Sequence, residues 1–259
     1  MGRLDSVPLF DELADGYDDL LPFFSTFGRR LVDLINPPAG TDFIDIGAGR
    51  GAVSVPALDR GCRVVAIDAA PRMVQRLSLA QPDLDVRLMD AHDLRLPDDS
   101  FDVAAASFVI HCLDDPCQVV GESVRVVRPG GLVAMSVPGP YNDGGRWDRF
   151  NAIGDAFRPV AGAAEVARPT DVHALFSAAG LTELRRESIE VHLPVDSPQR
   201  LWDFQMSHGF AGYIRSFTRP DQQEFQRRAI AELQRMHDDH GIDLHRCAAV
   251  TLGRVPDEP

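Results

Sequence analysis

Three alternating glycines, Gly47, Gly49 and Gly51, stand directly after the apolar run Phe43-Ile44-Asp45-Ile46, and this stretch has the residue types to hold a small ligand. Glycine lets a ligand approach the main chain where any Cβ would block it, and a turn opening a helix turns N–H groups toward that ligand. Asp45 lies two residues before the first glycine, so the pattern is G-x-G-x-G behind a carboxylate rather than G-x-G-x-x-G. A carboxylate there would repel a pyrophosphate and argues against a nicotinamide dinucleotide. It would suit a ligand carrying an ammonium and a sulfonium, and S-adenosylmethionine carries both. A second carboxylate, Asp68, closes the apolar run Cys62–Ile67, 17 residues beyond Gly51, and at a strand end it can accept both hydroxyls of a ribose. His111 and His208 are the candidate proton acceptors, because the unperturbed imidazole pKa of about 6.5 suits proton removal near neutral pH.

These residues must be positioned by strands whose C-terminal ends share one edge. Phe43–Ile46, Cys62–Asp68, Asp85–Leu88 and Val103–Phe108 read as four short strands, and the segments between the first three read as helices, which predicts a doubly wound α/β sheet. Pro71 starts one helix, with Met73 on its first turn. Asp90-Ala91 opens a turn at the end of the third strand, Ser107 falls at the end of the fourth, and His111 follows it. A helix over Glu122–Val127, a tight turn at Arg128–Gly131 and a fifth strand over Leu132–Val137 come next. Pro138–Pro169 is rich in Gly and Pro but carries Trp147, Phe150 and Phe157, suited to an added helix or a pocket wall. Thr170–Ala179, closed by Gly180, predicts a helix, and Leu184–Leu193 and Ala248–Leu252 predict the sixth and seventh strands.

The motifs resemble those of the class I S-adenosylmethionine-dependent methyltransferases. The resemblance rests on Asp45 with Gly47, Gly49 and Gly51, then on Leu96-Pro97-Asp98-Asp99-Ser100-Phe101-Asp102, Ser107–Asp115 and Glu122–Gly131. It runs from about Tyr17 to Gly180 and points to the ubiquinone- and menaquinone-biosynthesis-like branch (methyltransferase type 11), which acts on small molecules. It implies a Rossmann-like seven-stranded sheet in the order 3-2-1-4-5-7-6, with strand 7 antiparallel. It also implies that Tyr17 closes over the cofactor, that Asp45, Gly47, Ala48, Gly49, Asp68, Ala69 and Ser107 surround it, that Met73 packs on its adenine, and that Asp90 with the Ala91 N–H reads the adenine edge. The reaction implied is methyl transfer to an O, N or C atom of a small molecule, of natural-product or quinone type. The alternative is a fold that binds S-adenosylmethionine yet catalyses a non-methylating reaction such as a pericyclic cyclisation.

Residues 1–40 look like a helical cover, with Phe24, Phe27, Leu31 and Leu34 on one face. Residues 41–259 form the methyltransferase domain, in which 194–246 is an insertion of two amphipathic helices, one carrying Leu201, Phe204 and His208, the other Phe225, Ala229, Leu233 and Met236. Such an insertion reads as a lid over the acceptor, with a dimer interface as the competing reading. The chain is 259 residues long with a net charge of −13, which disfavours nucleic acid as a partner. All 26 of its basic residues are arginine, so lysine chemistry is excluded. Cys62, Cys112, Cys117 and Cys247 show neither disulfide nor zinc spacing, and no metal is expected. No signal peptide or membrane-spanning run is legible, so the sequence predicts a cytoplasmic monomer or homodimer with no membrane partner.

Overall fold

The computed structural model describes residues 6–140, 143–157 and 170–257. Seven strands form one sheet in the order β3-β2-β1-β4-β5-β7-β6, as the resemblance implies. They are β1 (Asp42–Ile46), β2 (Arg63–Asp68), β3 (Asp85–Leu88), β4 (Phe101–Ser107), β5 (Val127–Gly139), β6 (Thr182–Val195) and β7 (Ile242–Arg254). The first five run parallel, while β7 pairs antiparallel with both β5 and β6. Strand alternation divides the core. Ile44 and Ile46 face α5 (Pro116–Val126) and α7 (Val172–Ala178), and Phe43 faces α2 (Phe23–Ile35) and α3 (Ser54–Asp59). These side chains are fully buried, each contributing about 1.5–3 kcal/mol over an exposed position.

The segment before β1 holds α1 (Ser6–Leu13) and α2, and Phe27, Leu31 and Val32 of α2 are buried against the sheet. Asp18 turns the chain between the two helices. It takes a left-handed φ of 62°, and its carboxylate accepts from the N–H groups of Phe24 (2.8 Å) and Ser25 (2.9 Å) at the start of α2. Helix α4 (Pro71–Ala80) lies under α1, joined through Met73, Ala14 and Phe10.

Three expectations of extent are corrected. Helix α5 begins at Pro116, not Glu122, because Asp115 caps it by accepting from Gln118 N–H at 3.0 Å and Pro116 sits at its first position. The turn at Arg128–Gly131 is absorbed into β5 as a register shift, with Gly130 at φ 74°. Strand β7 starts at Ile242 rather than Ala248, and the insertion before it holds three helices: α8 (Pro198–Gln205), α9 (Phe210–Arg215) and α10 (Arg219–His240). Thr218 caps α10, as its sequence suggests, accepting from Asp221 N–H.

These helices form a third core with α6 (Asp148–Ala156). Leu201, Phe204, Phe225, Ala229, Leu233 and Met236 are buried in it, as are Trp147 and Phe150, which pack helix to helix here. Arg246 stacks its guanidinium 4.7 Å from the Trp147 ring. Part of the Gly- and Pro-rich stretch, residues 158–169, lies outside the described residues. No helix among the described residues is long and apolar enough to cross a membrane.

Candidate active site

The ends of β1, β2 and β4 and the turn after β3 meet around a cavity of about 280 Å3. Its wall includes Tyr17, Gly47, Gly49, Asp68, Ala69, Met73, Asp90, Ala91 and Ser107, residues drawn from segments up to 90 positions apart. A second hollow of about 190 Å3 shares Tyr17, Gly47, Gly49 and Ser107 with the first and adds Ala48, Asp18 and Arg29. Nine of the eleven expected cofactor residues thus line the larger cavity, and Ala48 lines the smaller one.

Asp45 is the exception, and the structure corrects its expected contact. Its side chain is 1% exposed, and its carboxylate turns inward to accept from Ser54 N–H (2.9 Å) and Oγ–H (2.5 Å). It fixes the glycine turn to the start of α3 rather than facing the cavity. Burial raises its carboxyl to about 7, with the Ser54 bonds opposing the shift. A group protonated to that extent repels a phosphate only weakly, so Asp45 does not by itself turn a dinucleotide away.

The raised value fixes the sign of a pH effect. The folded chain keeps the Asp45 proton from the unfolded pKa of about 3.9 up to about pH 7, so this group's contribution to stability falls as pH rises through that window. An asparagine at this position would not titrate. The stability of Asp45→Asn relative to wild type is therefore expected to grow by up to about 1.4 kcal/mol per pH unit between about pH 4 and 7. Denaturant unfolding of both proteins near pH 5 and pH 8 reads this, and a constant difference would contradict it.

The glycines have separate reasons. Gly47, at φ 70°, lies under Val109, whose Cγ2 would be 2.5 Å from an added Cβ. Gly49, at φ 54°, opens onto the cavity, and the nearest atom to its Cβ would be Tyr17 Cε1 at 4.0 Å. Arg50 draws the lead-in segment over the turn by donating to the Tyr17 carbonyl (2.9 Å) and to Asp19 (2.7 Å). Tyr17 stacks on Phe24 at 4.6 Å, and burial holds its hydroxyl well above the ordinary range, so it remains protonated.

Asp68 is mostly withdrawn from water, and burial raises its pKa although Ala70, Gly49 and Ala69 N–H groups oppose this. It accepts from Gly49 N–H at 2.7 Å and from Ala70 N–H at 2.8 Å, which ties the glycine turn to the end of β2. Asp90 accepts from the His92 N–H (2.9 Å) and bonds its Nδ1 (2.7 Å), and the backbone bond first, then the ring, lowers its pKa.

Neither histidine singled out in the sequence is in the wall. His111 forms part of a single 3-10 turn, Ile110–Cys112, with Nε2 3.5 Å from Cys112 Sγ and its ring 6.5 Å from Phe108, both wall residues. His208 donates from Nδ1 to the Phe204 carbonyl (2.7 Å) and packs between Phe204 and Phe24. Burial lowers its pKa to about 4, so it is neutral at pH 7 and too weak a base to take a proton efficiently there.

The wall also holds residues the sequence did not disclose. Phe10 enters from α1. Phe108 adopts a left-handed φ of 57°, costly for a bulky residue, held by its N–H bonding to the Ser136 carbonyl at 3.1 Å. His92 also lines the cavity. A left-handed phenylalanine carries no sequence signal, whereas His92, beside the singled-out Asp90-Ala91, was legible by position.

Residues 44–135 match the family described as "Methyltransferase domain". Nocamycin O-methyltransferase of Saccharothrix syringae is 34% identical over 230 residues, covering 79% of this chain and 82% of that protein. The chain belongs to the class I S-adenosylmethionine-dependent methyltransferases. Demethylmenaquinone methyltransferase of Renibacterium salmoninarum is 34% identical over 140 residues, covering 52% of this chain and 59% of its own length. A crystal structure from an antibiotic biosynthesis pathway of Anabaena variabilis ATCC 29413, named for methyltransferase activity, shares the fold at a TM-score of 0.61. It is 20% identical, with 87% of this chain and 96% of that one covered. This methyltransferase therefore uses S-adenosylmethionine. Its cavity fits that cofactor: the hollow at Gly49 is one that a Cβ would fill, and carboxylates stand at two neighbouring strand ends.

Proposed function

We propose that this methyltransferase methylates an oxygen atom of a natural product, with the cofactor in the cavity between Gly49 and Asp90. The observation that carries the site is the convergence of three strand ends' motifs on that one cavity. The likeness to nocamycin O-methyltransferase over four-fifths of the chain supports oxygen as the acceptor.

When bound, S-adenosylmethionine supplies an electrophilic methyl on a sulfonium. Asp68 accepts the ribose hydroxyls with the lone pairs that Gly49 and Ala70 leave it. Asp90 and the Ala91 N–H hold the adenine edge, with Met73 packed behind. Tyr17, Ala69 and Ser107 close the wall, Ala48 and the glycines form the floor, and Asp45 keeps the turn in shape. These residues contribute alignment and exclusion of water, the main sources of acceleration for a displacement that disperses charge.

An aromatic layer adjoins the cavity at Tyr17 and Phe108. It continues through Phe23, Phe24 and Phe27 to Phe204 and His208, with ring centroids 4.6–6.1 Å apart. The apolar edge it presents to the cavity, Tyr17 and Phe108 with Phe10 beside them, suits a ring-bearing acceptor. The insertion between β6 and β7, carried by α8, α9 and α10, serves as the lid over it: Arg200 donates to the Leu20 carbonyl, and Arg215 pairs with Glu12 at 2.7 Å, joining it to the cover. Release of S-adenosylhomocysteine with a methylated product, scored against hydroxyl- and carboxyl-bearing natural products, tests the reading. Conversion of acceptor with no S-adenosylhomocysteine released would favour a non-methylating reaction.

Where the acceptor hydroxyl must lose a proton, His111, which stands directly behind the wall residues Phe108 and Cys112, is assigned to take it. His111→Gln is then expected to lower kcat about 100-fold, to remove the acidic limb of its pH profile, and to leave cofactor affinity unchanged. A variant that keeps its rate and that limb would show transfer by alignment alone.

A further inference from the structure

The pairing of β6 with β7 creates a cluster that lies outside the cofactor cavity. Cross-strand register places His192 directly opposite His245, while Glu190 precedes His192 by two residues and so shares its face. The two imidazoles stack at 4.1 Å with planes 9° apart. One nitrogen of each ring and a carboxylate oxygen of Glu190 lie within 4.8 Å of one another, and His245 Nε2 is 3.4 Å from Glu190 Oε2.

We propose that Glu190, His192 and His245 bind one divalent transition-metal ion of the zinc class. Two imidazoles and one carboxylate are a donor set that such ions take, with water as the fourth ligand. Tetrahedral ligands at about 2.0–2.2 Å from zinc stand about 3.3–3.5 Å from one another. The Glu190–His245 pair already meets that spacing, and the exposed His192 and Glu190 side chains can rotate inward. A fourth residue supports the arrangement: Asp243 Oδ2 bonds His192 Nδ1 at 2.7 Å. A carboxylate on Nδ1 fixes the tautomer and leaves the Nε2 lone pair for the metal, as in carboxylate–histidine–zinc sites. Two carboxylates on this face also offset the charge of Arg30, whose guanidinium bonds the Glu190 carbonyl.

The location gives the ion a consequence. Strand β5 pairs with β7 only from Cys247 onward, so within the sheet Ile242–Arg246 pairs with β6 alone, as a two-stranded arm that packs Ile242 and Leu244 into the third core and whose ends lead into α8 and α10. A metal bridging His192 to His245 staples that arm at the root of the insertion.

Calorimetric titration of Zn2+ into the full chain near neutral pH, with Co2+ absorption as a second probe, tests the proposal. One ion per chain is expected, with affinity reduced about 10-fold or more in His192→Ala and in Glu190→Ala. The Co2+ spectrum should show tetrahedral bands without thiolate charge transfer, and amide exchange at Leu193 and Leu244 should slow with Zn2+ in wild type alone. Both substituted positions are exposed, so the variants are expected to unfold at the wild-type midpoint without metal. Unchanged affinity in the His192→Ala/Glu190→Ala double variant, a thiolate-bearing Co2+ spectrum, or no ion bound at millimolar Zn2+ would each overturn the site.

Discussion

Gly49→Val is expected to abolish measurable S-adenosylmethionine binding, a loss of at least about 100-fold, while the chain still folds. Two effects act together at this position. The residue is left-handed, a conformation that costs an L-residue about 1–2 kcal/mol and a β-branched one more. Its added atoms would also project into the cavity floor, where the nearest protein atom is 4.0 Å away, so they take ligand volume rather than protein volume. Gly47→Ala supplies the contrast. Its Cβ would strike Val109 at 2.5 Å, so its main effect is a lowered unfolding midpoint. Calorimetry and thermal unfolding on both variants separate the two effects. Wild-type affinity in a folded Gly49→Val chain would remove this turn from the cofactor site.

Asp68→Asn is expected to weaken cofactor binding by about 1.5–3 kcal/mol, roughly 10- to 150-fold, as for hydrogen bonds to a charged acceptor. The amide keeps one oxygen but replaces the other with a donor, which faces either the Gly49 N–H or the Ala70 N–H as a second donor, along with any ribose hydroxyl that shares that oxygen. Because Asp68 also ties the glycine turn to β2, Asp68→Ala, which loses both backbone bonds, should cost more stability than the isosteric amide, which loses one. An Asp68→Asn chain that binds S-adenosylmethionine and S-adenosylhomocysteine as wild type does would show that the ribose lies elsewhere.

The sheet and its ligand edge were legible in the sequence because each rests on local chemistry. Segments of strand length lead into Gly47, Asp68 and Asp90, and the structure gathers these on one cavity. What the sequence concealed depends on partners distant along the chain. Asp45 reads as a ligand group until Ser54, nine residues on, is seen bonding it. His208 reads as a base until burial beside Phe204 and Phe24 draws its pKa to about 4. The start of α5 was written in Asp115-Pro116 and was readable by capping rules. The Glu190–His192–His245 cluster was not, since it exists only through cross-strand register, and a seventh strand begun at Ala248 leaves His245 outside it.

A crystal structure of the chain with S-adenosylhomocysteine would locate the cofactor outright. The adenosyl group is expected in the cavity lined by Gly49, Met73 and Ala91, with Asp68 on the ribose hydroxyls and Asp90 at the adenine amine. Ligand density outside that cavity, or a ribose beyond hydrogen-bond reach of Asp68, would contradict the site described for this methyltransferase.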